Sequence, residues 1–366
     1  MSFRDLVQEY QLQSEAASFR YSNMPTPLRP TPLTERAQNA LFSPETVKSA
    51  TSNAIAELGD VPVRDADEDN SVETLDNVDF THHFVDAPGD YDTISWHYVT
   101  AGEPDKDAIV FIHGIPDSWY MWHHQMASLA REGYYCIGID LKGFGQSGKE
   151  PGDYRMEGVA EQLHAMLSTI DIKTFYLVSH DRGAVVGDFL TANHPESVKG
   201  YARCEQHLYH YNPLLSHHLD LMREAAYNHV LNDPKQVVCM AYRGMSQGKH
   251  PVPLQHLRRS VQEFSYPSMD RAIVRYLNAS TTEQETKHRR NTQLAEWKCP
   301  VVLVIGSESP TQPIEFFEEA EKYIPNALVR LKVMEEAGHF FPMERPEKAV
   351  EVIRDMLTLC KEHGGR

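Results

Sequence analysis

The stretch from Phe175 to Leu190 constrains the fold more than any other. An apolar, β-prone run, Phe175-Tyr-Leu-Val178, passes into a helical pattern after Gly183, with Ser179-His-Asp181-Arg-Gly183 between them. A strand that becomes a helix this abruptly needs small residues around the central one, which then projects alone above the sheet. Small-x-acid-x-small is a variant of the nucleophile elbow. Its central residue is Asp181, where a serine would serve acyl transfer.

The rest of the chain supplies a sheet for that turn. From Asp79 onward, strand candidates fall at Phe80–Val85, Thr93–Thr100, Ala108–Ile112, Tyr134–Ile139, Phe175–Val178, Gly200–Cys204, Val301–Ile305 and Ala327–Val333. Helical patterns lie near 120–131, 156–170, 183–193, 313–324 and 346–360. Gly89-Asp90 marks a hairpin between the first two strands; the others alternate with helices. That alternation predicts an α/β fold, an eight-stranded, mostly parallel sheet with helices on both faces. The core is expected over 76–206 and 299–366. Segment 207–298, helical and rich in histidine and tyrosine, enters between the sixth and seventh strands. An insertion there can close over the strand ends as a helical cap.

Residues 1–75 read as an N-terminal helical and extended arm. Phe3, Leu6, Val7 and Tyr10 suggest a short amphipathic helix, and Met24–Leu33 is proline-rich and extended. Ser43-Pro44-Glu45 has the form of a helix start, with Val47, Ala50, Ala54 and Leu58 on one face. The acidic run Arg64–Asn70 reads as a solvated linker. Such an arm can cover an active site or join two copies as a homo-oligomer; the plainer reading packs it on its own subunit.

A chain of 366 residues buries a sizeable core, and its net charge of -17 argues against nucleic acid or an anionic membrane as partner. No basic-then-apolar leader opens the chain, and no run reaches membrane-spanning length. Five cysteines without close pairing, two of them (Cys136 and Cys204) in predicted core strands, fit reduced, buried thiols and a cytoplasmic location. The expected partner is a small-molecule substrate.

Three motifs carry chemistry. Phe111-Ile-His113-Gly-Ile115-Pro116-Asp-Ser-Trp119 follows a strand directly. Its His-Gly turn can aim the Ile115 N–H, with that of Arg182, at a developing oxyanion. His113, Pro116 and Trp119 would border the substrate, although His113 and Pro116 can equally serve only to shape the loop. Asp181 itself selects the reaction. Attack by a carboxylate on an ester gives an anhydride, whereas attack on an sp³ carbon bearing a leaving group gives an ester that water can cleave. The alternative is an elbow turned over to binding. Third, Gly338-His339 lies between the last strand and the last helix, where an imidazole can activate water. A histidine base needs an acidic orienter, and two compete: Glu205, ending the sixth strand, and Glu308, after the seventh. Glu205 is preferred.

Together these motifs resemble the α/β-hydrolase superfamily, in its aspartate-nucleophile branch of epoxide hydrolases and haloalkane dehalogenases. The run from His113 to Gln125, then Gly133-Tyr, then Asp140-Leu-Lys-Gly-Phe-Gly-Gln-Ser147 is similar to epoxide hydrolases over about residues 79 to 360. Epoxide hydrolases carry an acid after the seventh strand, where Ser309 stands here; Glu205 matches the position used by one group of haloalkane dehalogenases. The halide pocket of those dehalogenases has a Trp after the nucleophile, replaced here by Arg182, and a polar loop residue, replaced by Ile115. Asp181-Arg182-Gly183 is similar to fluoroacetate dehalogenases, whose second arginine would fall near Val185.

The resemblance implies a cofactor-independent hydrolase, with no metal, that opens an epoxide through an alkyl-aspartyl ester. Cap tyrosines would protonate the leaving oxygen, and Tyr209, Tyr211, Tyr227, Tyr266 and Tyr276 are candidates. The alternatives are a haloalkane or haloacid dehalogenase using the same aspartate, with Arg182 orienting a carboxylated substrate or serving only in a structural salt bridge to a nearby carboxylate, and a non-hydrolytic binding or biosynthetic protein on this scaffold.

Overall fold

Continuous apolar runs occupy the middle of a nine-stranded sheet, as expected of strands covered on both faces. The computed structural model describes residues 29–39, 41, 43–89, 93–216, 233–246, 249–280 and 282–363. In chain order the strands are β1 (Val72–Leu75), β2 (Val78–Pro88), β3 (Thr93–Ala101), β4 (Ala108–Ile112), β5 (Tyr135–Ile139), β6 (Phe175–His180), β7 (Val198–Cys204), β8 (Val301–Gly306) and β9 (Val329–Met334). Their order across the sheet is β1-β2-β3-β5-β4-β6-β7-β8-β9. Pairing is antiparallel from β1 through β3 to β5 and parallel for every other neighbour.

All eight predicted strands form, as β2 to β9. The extra one, β1, lies within the segment read as an arm, so the sheet starts at Val72. Four residues before the Asp76-Asn77 turn, both of positive φ, are enough to pair with β2. The turn predicted at Gly89-Asp90 joins β2 to β3, whose pairing reaches Pro88 opposite Thr93; residues 90–92 lie outside the described residues.

The helices are α1 (Glu35–Asn39), α2 (Pro44–Leu58), α3 (His123–Arg131), α4 (Met156–Thr169), α5 (Arg182–Asn193), α6 (Pro234–Cys239), α7 (Leu254–Glu263), α8 (Met269–Ala279), α9 (Thr282–His288), α10 (Phe341–Glu344) and α11 (Pro346–His363). Against the sheet they pair as α4 with α5 and α3 with α11. The helix expected over 313–324 is replaced by two 3-10 turns, Ile314–Phe316 and Ala320–Lys322. Glu319 between them has φ 58°, which a right-handed helix does not tolerate.

Helices α6 to α9 belong to the inserted segment, and α6 and α9 each run on into a π turn, Met240–Gly244 and Arg289–Gln293. The expected helix at Pro44 forms as α2. It buries Val47, Ala54 and Leu58, while Ala50 is half-buried, and Val47 and Thr51 pack on Gly244 of the first π turn. The chain from Arg29 to Ser71 thus lies on its own molecule. Thr31 exchanges backbone and side-chain bonds with Tyr211 and Asn212, Arg258 and Gln262 of α7 bind the carbonyls of Asp60 and Pro62, and Asp67 pairs with Gln146. The amphipathic helix expected around Phe3–Tyr10 lies outside the described residues. All five cysteines are buried and unpaired, and no helix among the described residues is long and apolar enough to cross a membrane.

Candidate active site

The parallel ladder levels the ends of three neighbouring strands, and that sets the site. Opposite His180, the last residue of β6, stands Cys204, the last of β7, which in turn stands opposite Val304. The next residue of each of the first two strands keeps the ladder one step longer. Asp181 N–H donates to the Cys204 carbonyl at 3.1 Å, and Glu205 N–H donates to the Val304 carbonyl at 3.0 Å. Both then turn away in the left-handed region, Asp181 at φ 51° and Glu205 at φ 56°, so two carboxylates emerge side by side at the carboxyl edge of the sheet.

The elbow is as tight as its sequence requires. A Cβ on Gly183 would sit 2.1 Å from the His113 carbonyl oxygen, and one on Gly114 would sit 2.5 Å from Asp181 Cβ. The loop after β4 therefore closes directly over the Asp181 carboxylate. Ile115, whose peptide to Pro116 is cis, donates its N–H to Asp181 Oδ1 at 3.2 Å, and the Arg182 N–H also binds the carboxylate. Both predicted oxyanion donors therefore converge on one carboxylate.

His339 completes the set. Its Nε2 lies 3.3 Å from Asp181 Oδ2, and its Nδ1 lies 3.0 Å from Glu205 Oε2. Glu205 is fixed from the other side by Ser309 Oγ, which donates to Oε2 at 2.7 Å, and by the Gly306 N–H on Oε1. Of the two competing acids, Glu205 is thus the one joined to His339. Glu308 turns away and accepts the backbone N–H of Lys249 at 2.6 Å, because Ser309, not Glu308, faces inward from that loop.

The electrostatics follow from one imidazole shared by two buried acids. Burial by itself would lower the His339 pKa, but its bonds to Asp181 and Glu205 lift it to about 10. Burial pushes Asp181 up, yet the imidazolium and the two amides hold it well below the usual carboxylate range. Burial wins at Glu205, which titrates above its ordinary value despite His339, Ser309 and Gly306. At rest the site holds an Asp181 carboxylate against a His339 imidazolium. His180, buried beneath, donates Nε2–H to the His339 carbonyl at 2.7 Å, and burial lowers its pKa to about 4, so it braces the turn as a neutral ring.

The other predicted residues are spread more widely. His113 bonds from Nδ1 to the Gly114 carbonyl at 2.7 Å and accepts the Leu141 N–H at Nε2, so both nitrogens shape the loop. Trp119 packs into the core against Phe80 and His82. Of the tyrosines, Tyr209 stacks on Tyr323 at 4.2 Å, Tyr211 pairs through its carbonyl with Thr31, and Tyr266 lies near Glu263 and Arg64. Tyr227 lies outside the described residues. Tyr276 of α8 is the one brought to the centre among the described residues. Its side chain is buried, with the hydroxyl beside the Arg182 guanidinium and within the field of Asp181.

Three contributors escaped the sequence reading. Gln206 donates Nε2–H to Asp181 Oδ2 at 3.3 Å; its signal was its place one step beyond Glu205 on the same strand end. Glu285 of α9 binds the Arg182 guanidinium from both oxygens, at 2.8 and 2.9 Å, and Tyr242 of the first π turn donates to Asp117 in the loop after Ile115. Neither of these last two has a local signature. Because Glu285 already holds it, Arg182 is not an open receptor for a substrate carboxylate. Asp76, His123 and His124 lie close enough together to share a metal ion, but the group has no residue in common with the acid–base set.

The profile of the α/β hydrolase fold matches residues 107–346. Epoxide hydrolase 3 of Xenopus tropicalis is 22% identical over 303 residues, covering 72% of this chain and 75% of that protein. Among solved structures, Cfl2 from Burkholderia cenocepacia superposes with a TM-score of 0.64 at 23% identity, over 75% of this chain and 95% of that one. A laboratory-evolved variant of potato epoxide hydrolase gives 0.61 at 21% identity, over 76% and 99%.

Proposed function

Because the chain belongs to the α/β hydrolase fold family and is an epoxide hydrolase-like enzyme, we propose that it opens an epoxide through a covalent ester on Asp181. The observation that carries this reading is the Asp181–His339–Glu205 array, with two backbone amides on the nucleophile.

Asp181 Oδ2, the oxygen not held by the Ile115 amide, attacks a ring carbon and forms a C–O bond. The ring C–O bond breaks, and its oxygen takes the phenol proton of Tyr276, a buried donor beside the Arg182 guanidinium. Esterification removes the negative charge that kept His339 protonated. The imidazolium, still oriented by Glu205, gives its proton to the phenolate left on Tyr276, directly or through solvent, and the neutral ring then takes one from water. The hydroxide adds to Asp181 Cγ, and the charge that develops on Oδ1 meets the amides of Ile115 and Arg182. Collapse of that intermediate expels the diol, protonated by His339, and the acid left on Asp181 returns its proton to His339, which restores the carboxylate and the imidazolium. Arg182, a cation whose charge Glu285 already matches, argues for this reading over a haloacid dehalogenase. The five buried thiols support a reducing compartment such as the cytoplasm.

Two measurements test the mechanism. In a single turnover with excess enzyme in ¹⁸O-water, the label is expected in the Asp181 carboxylate and not in the diol. A labelled diol on that first turnover would mean direct attack of water and would overturn the proposal. His339→Gln incubated with styrene oxide is expected to gain the mass of one substrate at Asp181.

A further inference from the structure

Arg182 stands next in sequence to the nucleophile, and its side chain is as buried as the core, at 2% exposure. A lone guanidinium at such a place carries a heavy desolvation cost. Glu285, itself 3% exposed, removes it by approaching Nη2 with both carboxylate oxygens. The next cation, Arg289, lies 3.4 Å from Asp188 and donates to the His207 carbonyl. The Arg182 Nε has no hydrogen-bond partner among the described residues, and the charges of Asp181 and Glu285 and the phenol of Tyr276 all bear on the guanidinium. A cation therefore sits at the edge of the reaction centre, and the protein has already matched its charge.

We propose that Glu285 occupies the place a substrate carboxylate would take, and that it thereby restricts this enzyme to uncharged electrophiles. The inference rests on the ring-opening reading of the site and adds the substrate class. Glu285 faces Arg182, Asp181 and Glu205 face His339, and Asp188 faces Arg203 and Arg289, so the buried charges are already matched against one another. An uncharged epoxide leaves that balance alone. A carboxylated one either raises the negative charge in a site with little water, or drives Glu285 off its partner and leaves a buried carboxylate unpaired. The strongly acidic chain as a whole, at -17, acts in the same direction during approach.

The experiment compares the intact protein with Glu285→Gln and with the charge-balanced double variant Arg182→Gln/Glu285→Gln. Turnover is measured on glycidamide and glycidate, which differ in an amide against a carboxylate. Calorimetry measures binding of the non-reacting pair phenylacetamide and phenylacetate. The wild type is expected to prefer glycidamide by about 100-fold in kcat/KM. Glu285→Gln, with an unmatched guanidinium, is expected to bind phenylacetate about tenfold or more tighter than wild type. The double variant should lose that gain, which a general loosening of the site would not do. Should Glu285→Gln fail to fold, Glu285→Asp, which keeps the charge but retracts it by one methylene, is expected to show a smaller gain of the same sign. Equal turnover of glycidate and glycidamide by wild type, or no gain for phenylacetate in a folded variant, overturns the inference. Absence of turnover on both epoxides would instead sink the ring-opening reading, and the phenylacetate measurement would still decide the role of Glu285.

Discussion

Replacing Asp181 by Asn removes one charge and almost no volume, and the consequence for His339 can be worked out from the geometry. Unit charges 3.3 Å apart attract by about 5 kcal/mol at an effective dielectric of about 20. One pKa unit corresponds to about 1.4 kcal/mol, so this contact sustains roughly three of the units that separate His339 from solvent histidine. Burial, which pulls the other way, remains in the variant. His339 titrates at about 10 in the resting protein and should fall to about 7 or below in Asp181→Asn. The assay is a pH titration of the ring ¹⁵N shifts in protein labelled at histidine. The signs for stability follow. A raised histidine pKa stabilises fully below its unfolded value near 6.5, and that contribution is lost as pH rises through about 10. The depressed Asp181 stabilises above the ordinary carboxylate range, and its contribution is lost as pH falls below it. The stability gap between wild type and variant should therefore be widest from about pH 4 to 6.5 and close toward pH 10. Should His339 of the variant still titrate near 10, Glu205 alone would hold the proton. Esterification of Asp181 would then not release a base, and the two-step scheme would lose its second half.

Three further outcomes are expected. Glu205→Gln should lower kcat by about 10²- to 10⁴-fold and let the ester accumulate, seen by intact mass; Glu308→Gln should leave kcat within about twofold, as expected of a group away from the reacting atoms. Tyr276→Phe should lower kcat/KM by about 10²-fold or more. Because its hydroxyl lies beside the Arg182 guanidinium, thermal melting should show a loss of no more than about 1.5 kcal/mol of stability. Gly114→Ala places a Cβ 2.6 Å from Asp181 Oδ1; steady-state assays should show at least about a 10²-fold loss from the displaced nucleophile, with circular dichroism near that of wild type.

How much of this could be read in advance depended on the range of each interaction. Asp181, Ile115, Arg182, Glu205 and His339 all sit where a strand ends, and strand ends announce themselves through neighbouring residues: an apolar run, a glycine, a turn. The preference for Glu205 over Glu308 came from the resemblance to one group of haloalkane dehalogenases, and in the structure Glu205 meets His339 while Glu308 meets Lys249. The tyrosines were not legible. Tyr209 and Tyr276 look alike in sequence, and only the docking of α8 on the core sets one beside Arg182 and Asp181 and leaves the other stacked on Tyr323. Glu285 meets Arg182 across 103 positions and Tyr242 meets Asp117 across 125, distances over which sequence pattern carries no register. Within the fold, the missing helix at 313–324 failed at one backbone angle, that of Glu319, which side-chain pattern does not reveal.

The path of residues 29–71 also bears on how such enzymes can be recombined. This stretch is anchored at Ser307 by Arg36, crosses α7 at Asp60 and Pro62, and reaches the core again at Gln146. Anyone exchanging residues 207–298 for the equivalent part of a relative would leave that ribbon without its seat. A chimera faithful to this molecule has to carry residues 29–71 along with the insertion, as a single inherited unit.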